Sequence, residues 1–360
     1  MVKQGRTVKQ ISGKDLLEKA EKGITSILSD ITFVELKESK TSVGIGNRQI
    51  DFMLSVVVSG KPVKLIIEVK SQGEPRFVRM AIAQLKEYLK SSKDSYGILI
   101  APYLSDTSRQ ICREASIGCL DLAGNAYLSF RNVFIDRSGR PNPFVAARTS
   151  KSVFSPKSSR ILRVLLSDPS KKWYVEDISK ETGISIGLAS RVKQALLSEE
   201  WIKEENKSFH LIKPEEVLNQ WVNNYSYEKN PIFSFYSGLS EDQLGAAIKK
   251  ECGKRKYRYG LALFSGARKV APFVRFMRFF SYVDGNIEDI AKTLQLKKVE
   301  TGANVIFLKP YDEGIFYGLQ DINGINVVSN IQLYLDLKSY KGRGEEAAQA
   351  IFEQGIRPKW

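Results

Sequence analysis

Residues 49–70 read Gln49-Ile50-Asp51-Phe52-Met53-Leu54-Ser55-Val56-Val57-Val58, then Ser59-Gly60-Lys61-Pro62, then Val63-Lys64-Leu65-Ile66-Ile67-Glu68-Val69-Lys70. Two runs rich in Ile, Leu, Val and Phe flank a cluster of turn formers, the pattern of a β-hairpin. With the turn centred between Gly60 and Lys61, an antiparallel register sets Asp51 opposite Lys70 and diagonal to Glu68. Glu68 and Lys70 are two residues apart and share a face of the strand. Two carboxylates and one ammonium therefore converge at the open end of the hairpin. Their neighbours are apolar, and charges in such surroundings need partners or a metal ion.

Metal-assisted phosphodiester hydrolysis is the chemistry this trio suits. Asp51 and Glu68 offer the oxygen ligands that Mg²⁺ or Mn²⁺ prefers. Lys70 beside them can orient or deprotonate water, or stabilise charge in the transition state. The plain alternative is an exposed ion-pair ladder at a strand end. The next element favours the site: a helix over Arg76–Lys90, with an apolar stripe of Phe77, Ala81, Leu85 and Leu89. Gln84 and Tyr88 sit one turn apart beside that stripe, placed either to touch the lysine or a DNA phosphate or to form part of a helix–sheet packing face with solvated basic residues around it. Gln84 joins Asp51, Glu68 and Lys70 as a candidate catalytic residue, and Tyr88 is a candidate DNA contact.

Working outward, Asp15–Leu28 has helical spacing, with Glu18 and Glu21 on its polar face. Ile31–Lys37 and Tyr96–Ala101 read as strands, Thr107–Ala115 as a helix and Gly118–Leu122 as a strand. Helix, three strands, helix, strand, helix, strand implies an α/β sheet. This order, with Asp51, Glu68-Val69-Lys70 and Gln84-x-x-x-Tyr88, resembles the PD-(D/E)XK nuclease superfamily. The resemblance covers about the first 130 residues. It implies a restriction-endonuclease-like α/β domain, Mg²⁺ on Asp51 and Glu68, and Lys70 as the catalytic amine. A helix-borne acid often joins the metal ligands, a place Glu18 or Glu21 would fill. Ile50 stands where the family's proline precedes the aspartate.

Residues 149–226 follow a loop rich in turn formers, Arg137–Pro143, and the polar link Thr149-Ser150-Lys151. Helices are expected over Ser159–Ser167, Val175–Thr182 and, after a Ser185 cap, up to Ser198. Trp201–Lys203 and Ser208–Leu211 read as a hairpin. Short helix, Gly183 turn, second helix and hairpin resemble a winged helix-turn-helix. The resemblance places the second helix in the major groove, with Ser190, Arg191 and Gln194 toward base edges and Lys193 and Lys207 toward phosphates. Glu199, Glu200, Glu204 and Glu205 would repel DNA if they faced it.

Residues 227–360 read as an α+β segment, with Ala271-Pro272-Phe273-Val274-Arg275, a strand over Asn304–Leu308, a strand-like or helical Ile331–Leu337, and a helix opening at Gly342-Arg343-Gly344. Ser265-Gly266 lacks the acid pair that a nucleotidyltransferase loop needs; Arg268 and Lys269 stand there instead. Ser159–Leu166, Ser185–Leu188, and Gln332–Leu337 with Gly342–Ala347 resemble the AbiEi family of type IV antitoxins. That resemblance implies operator binding, repression and a toxin partner for roughly the last 200 residues. The expected organisation is 1–148 nuclease-like, 149–226 winged helix and 227–360 regulatory or interaction domain.

Composition sets the bounds on function. The chain of 360 residues carries a net charge of +15, which favours a polyanionic partner such as double-stranded DNA. The excess is spread along the chain and forms no detachable tail. One histidine, His210, leaves no room for a histidine-rich metal site and makes Ser-His-Asp catalysis depend on a single wing residue. Three cysteines without a CxxC disfavour a disulfide framework and a zinc site. No apolar run approaches a membrane span, and the N-terminus has no apolar signal core, so a cytoplasmic protein is expected. The combined expectation is a Mg²⁺- or Mn²⁺-dependent DNA endonuclease of a defence or mobile-element system, working as a homodimer if both strands are cut. The alternative is an antitoxin-like repressor with an inactive nuclease fold.

Overall fold

The computed structural model describes residues 12–45, 48–144, 153–271 and 278–360. The link 149–151 and residues 272–275 lie outside them. The chain divides into two compact units, residues 1–149 with 198–200, and residues 150–197 with 201–360.

The first unit comprises α1 (Gly13–Ser29), β1 (Val34–Ile45), β2 (Arg48–Val58), β3 (Lys61–Val69), α2 (Pro75–Lys90), β4 (Ser95–Ala101), α3 (Asp106–Glu114), β5 (Gly118–Asp121), β6 (Ala126–Phe130) and β7 (Val133–Arg137). Its seven strands lie side by side in chain order. β3, β4 and β5 are parallel, and antiparallel pairs flank them on both sides. Ser12 caps α1 by accepting the Asp15 N–H at 3.2 Å, and Pro75 opens α2, where its missing N–H costs nothing. α1 buries Ala20, Ile24 and Leu28 against Phe52, Leu54, Leu65 and Ile67 on one face. α2 buries Val78, Ala81, Ile82 and Leu85 against Ile66 and Leu99 on the other. The expected element order is present, with β1 starting later than expected, at Val34, and running to Ile45.

The hairpin register differs from the expected one. Lys61 pairs with Val58 and Phe52 with Ile67, so the loop is Ser59-Gly60 alone, and continuing the ladder sets Asp51 opposite Glu68 rather than Lys70. Both loop residues have positive φ, +48° and +77°, as in the tight two-residue turns whose twist matches that of the strands. Pro62 is therefore a strand residue, tolerated because pairing to β4 begins only at Lys64. The slip is two residues. An odd slip would have turned every side chain over; this one leaves Asp51, Glu68 and Lys70 on their common face.

In the second unit, α4 (Pro156–Ser167), α5 (Val175–Thr182) and α6 (Ile186–Ser198) precede the hairpin β8 (Ile202–Glu205) and β9 (Ser208–Leu211), to which Trp173 adds a bridge at Phe209. α7 (Pro214–Val222) leads to β10 (Ile232–Tyr236), α8 (Glu241–Arg255), β11 (Arg258–Leu261), α9 (Leu263–Val270), β12 (Phe279–Asp284), α10 (Ile287–Thr293), β13 (Lys297–Lys298), β14 (Val305–Leu308), β15 (Gln320–Ile322), β16 (Ile325–Val327), α11 (Asn330–Lys338) and α12 (Gly344–Ile351). The sheet order is β13-β10-β14-β12-β11-β16-β15, mixed parallel and antiparallel. Residues 331–337, left open between strand and helix, are helical and buried throughout. Gly266 is a packing glycine: a Cβ there would lie 2.5 Å from Leu333 and 2.8 Å from the Leu261 carbonyl. The expected boundary at 226/227 separates no cores, because one hydrophobic cluster runs from Ile161 and Leu165 through Trp221 to Leu333 and Ile356.

α4 is tied to the rest of this unit by polar contacts as well. Arg160 makes a forked pair with Asp312 and also binds Glu313. Arg163, buried over the Trp221 ring, donates to Gln332 Oε1 at 2.5 Å. Gln332 Nε2 donates to Asp336 Oδ1 at 2.8 Å, and the Tyr225 and Tyr282 hydroxyls donate to the same oxygen at 2.5 and 3.0 Å. Asp336 Oδ2 has no hydrogen-bond partner. Full burial pushes the Asp336 carboxyl up to about 7, against the pull of those three donors and of Arg163. Because its folded pKa lies above the unfolded value, stability from this group is present in acid and lost as pH rises through 7. Wild-type protein should lose about 1 kcal/mol between pH 6 and 8 that Asp336→Asn does not lose, read from urea midpoints at the two pH values. Parallel pH profiles would show that Asp336 does not titrate there.

Candidate functional site

The site is built where β2 begins and β3 ends, under α2. Asp51 is half-buried, and its Oδ2 accepts the Val69 N–H at 2.7 Å, which pins the carboxylate across the strand ends. Glu68 is 3% exposed. One of its oxygens takes the Lys70 ammonium; the other, Oε2, is buried with no hydrogen-bond partner. Burial pushes the Glu68 carboxyl up. Lys70 works against this, the negative charge of Asp51 adds to it, and the nearby Gln84 amide relieves it slightly. The Lys70 side chain is 32% exposed, so it reaches both the carboxylate and the solvent.

α2 supplies the second wall. Gln84 Oε1 lies 3.4 Å from Lys70 Nζ, a long contact, and Gln84 Nε2 donates to the Tyr88 hydroxyl at 2.9 Å. Tyr88 in turn donates to the Gln49 carbonyl at 3.1 Å. The buried stripe of α2 is Val78, Ala81, Ile82, Leu85 and Tyr88, rotated from the expected Phe77–Leu89 line. That rotation corrects one assignment. Tyr88 is 2% exposed with its hydroxyl engaged, so it holds Gln84 in place and cannot reach a DNA phosphate.

The structure thus brings together Asp51, Glu68, Lys70 and Gln84. It does not bring in Glu18 or Glu21. Glu18 is exposed and paired with Lys22 at 2.6 Å, and Glu21 accepts from Ser39. Among the described residues no group of three or more His, Cys, Asp or Glu side chains could hold a metal. The donor set is two carboxylates, one with a vacant buried oxygen. This fits a divalent ion of the Mg²⁺ type, which binds through one or two carboxylates and takes its other ligands from water or phosphate. The Val69 N–H and the Gln49 carbonyl were not foreseen; they are backbone groups and leave no mark in side-chain patterns.

On α6 the buried stripe is Ala189, Val192, Lys193 and Leu196. Arg191, Gln194 and Gly187 are exposed on the opposite side, and Ser190 is half-buried. Lys207 is exposed in the Asn206-Lys207 turn of the β8–β9 hairpin. Lys193 is a correction. It is 8% exposed, pairs with Glu204 at 2.5 Å and lies over the Phe209 ring, so its charge is spent inside the unit. Glu205, flanked by Lys203 and Lys172, is held down to about 2. Of the four suspect acids, Glu204 and Glu205 are thereby neutralised locally.

Comparison with known proteins adds the following. Residues 210–357 match the family described as "Transcriptional regulator, AbiEi antitoxin, Type IV TA system". The match begins at His210, so residues 159–166 and 185–188 lie outside it. Two solved structures are similar to part of the chain. One is a repair endonuclease from Pyrococcus abyssi (16% identity over 28% of this chain and 46% of that one, TM-score 0.21), and the other is an EndoMS–dsDNA2 complex (13% identity over 33% and 47%, TM-score 0.21). The chain spans about half the length of the solved structures it matches. No curated protein matches. Among the described residues, no helix is long and apolar enough to cross a membrane.

Because burial raises the Glu68 carboxyl, its ionisation at neutral pH works against folding, and the penalty vanishes in acid as the group is protonated. In metal-free buffer at pH 7, Glu68→Gln should therefore unfold at a higher midpoint than wild type, with the gap closing toward pH 4. A lower midpoint would mean that the Lys70 pair outweighs the burial of the charge.

Proposed function

We propose that this protein is a divalent-metal-dependent DNA endonuclease with a restriction-endonuclease-like first unit, targeted to double-stranded DNA by a winged helix-turn-helix formed by α4–α6 and the β8–β9 hairpin. One observation carries the reading: Glu68 keeps a buried, unpartnered carboxylate oxygen on the face it shares with Asp51, with Lys70 at its side. A folded protein gains no stability from an orphaned buried oxygen next to a second acid, so the arrangement points to a bound cation. Asp51 and Glu68 would hold Mg²⁺ or Mn²⁺. Bound there, the ion supplies Lewis acidity for phosphodiester hydrolysis.

The chain's own residues do the rest. The Val69 N–H fixes Asp51, and Tyr88 fixes Gln84 through the Gln49 carbonyl. Gln84 and Glu68 hold the Lys70 ammonium at the edge of the site, where it can orient the attacking water or donate to a phosphate oxygen. Exposed Arg191 and Gln194 read base edges, and Lys207 contacts phosphate. Cutting both strands calls for two such sites, so a homodimer belongs to this reading.

The family match over residues 210–357 favours a second reading: an antitoxin-type transcriptional regulator that holds DNA, pairs with a cognate toxin, and carries a nuclease fold that does not cut. Plasmid incubated with Mg²⁺ or Mn²⁺ separates the two. Under the first reading wild type nicks DNA, Lys70→Ala and Asp51→Ala do not, and all three bind DNA alike. Identical behaviour of the three proteins would leave the regulator. In either case Arg191→Ala should weaken duplex binding by about 1–3 kcal/mol if it pairs with guanine. Unchanged binding across a salt titration would remove α6 from the major groove.

A further inference from the structure

In the second unit a cavity of about 320 Å³ opens on the sheet face shared by β10, β14 and β12. Ile232, Ile306 and Phe280, one from each strand, line it, and the register puts all three on one face. Tyr227 and Tyr340 wall it. Their rings stack on each other at 5.9 Å, and Tyr340 meets Phe280 edge-on at 6.2 Å. The rest of the lining is charged: Glu228, Arg278 and Lys341, all exposed. Among the described residues none of these three side chains makes an ion pair. Other cations of the same unit do: Arg258 with Asp284, Arg268 with Glu241 and Lys338 with Glu345. The charges of the cavity are therefore left over from the packing of this unit. Glu228 and Arg278 both act on the Tyr227 hydroxyl, in opposite directions, which places them at the same end of that ring.

Each part of the lining restricts the ligand. Three aromatic rings around a cavity of this size favour a flat ring system. An unpaired guanidinium and an unpaired ammonium favour an anion, phosphate above all. Glu228 is ionised and accepts hydrogen bonds only, so the flat ring must carry N–H donors. An aryl phosphate or an aromatic carboxylate carries none, whereas a nucleobase does. Among the common bases guanine presents two adjacent N–H donors on one edge, a match to the two oxygens of a carboxylate. We infer that the cavity binds a guanine mononucleotide, with the base against Tyr227 and Tyr340, its donor edge on Glu228 and its phosphate on Arg278 and Lys341. The site belongs to the segment that matches the antitoxin family, not to the unit that carries Asp51 and Glu68, and it stands under either functional reading.

The test titrates the full-length protein calorimetrically, in metal-free buffer without DNA, with GMP, AMP, guanosine, phenyl phosphate and inorganic phosphate. GMP should bind at one site per chain and roughly tenfold or more tightly than any of the other four, since each of those lacks the donor edge, the phosphate or the base. Arg278→Gln and Lys341→Gln should each weaken GMP binding roughly tenfold, the loss of one charge-assisted contact. Both are exposed changes, so their melting temperatures without ligand should equal that of wild type. Glu228→Gln, which replaces one acceptor oxygen by a donor, should remove the preference for GMP over AMP. Absence of saturable GMP binding to wild type would overturn the inference. So would phenyl phosphate or inorganic phosphate binding as tightly as GMP, or GMP binding that neither Arg278→Gln nor Lys341→Gln weakens.

Discussion

Glu68 sits at the end of a central strand, 3% exposed, with one oxygen on Lys70 and the other without a hydrogen bond. Much of the first unit serves to keep it there. The two-residue turn at Ser59-Gly60 sets the register that brings Asp51 across from it. β4 on the far side of β3 and α2 above the sheet exclude water from its surroundings. Burial of this charge is a standing cost, partly offset by one exposed-end lysine. Under the proposed function, a divalent cation on Asp51 and Glu68 would relieve this cost.

A second buried carboxylate, Asp336, shows the contrast. Its Oδ2 is likewise unpartnered, but three donors converge on its other oxygen, and a chain of contacts through Gln332 reaches Arg163 on α4. Its neighbours are hydroxyls, an amide and a stacked guanidinium, all inside one hydrophobic core. Asp336 belongs to the packing of α4 against α11. Together with the Arg160–Asp312 fork, it makes the helices expected to read DNA part of the same body as the segment that matches the antitoxin family.

Much of this was legible in the residues. The strand-helix order of the first unit follows from apolar periodicity and turn formers, and the convergence of Asp51, Glu68 and Lys70 survives an error in register because only parity matters to the face. What was misjudged has common causes. Tyr88 and Lys193, expected to contact DNA, are drawn into the buried faces of their helices, since Tyr and Lys both carry large apolar portions that a stripe can absorb. Glu18 and Glu21 lie on the right helix for a third acid but face Lys22 and Ser39, a matter of tertiary placement that spacing does not encode. The single core of residues 150–360 was hidden because Arg137–Pro143 and Thr149–Lys151 mark a real boundary in turn chemistry, whereas the stretch near 226 is polar yet bridged by Trp221, Tyr225 and Tyr227 packing on both sides.

The central claim is that Asp51 and Glu68 form one cation site. Calorimetric titration of Mn²⁺ into the metal-free protein at pH 7 tests it without reference to any reaction. The account predicts one saturable site per chain in wild type, lost in both Asp51→Asn and Glu68→Gln. Saturable binding that persists in both variants, or none in wild type, would contradict it.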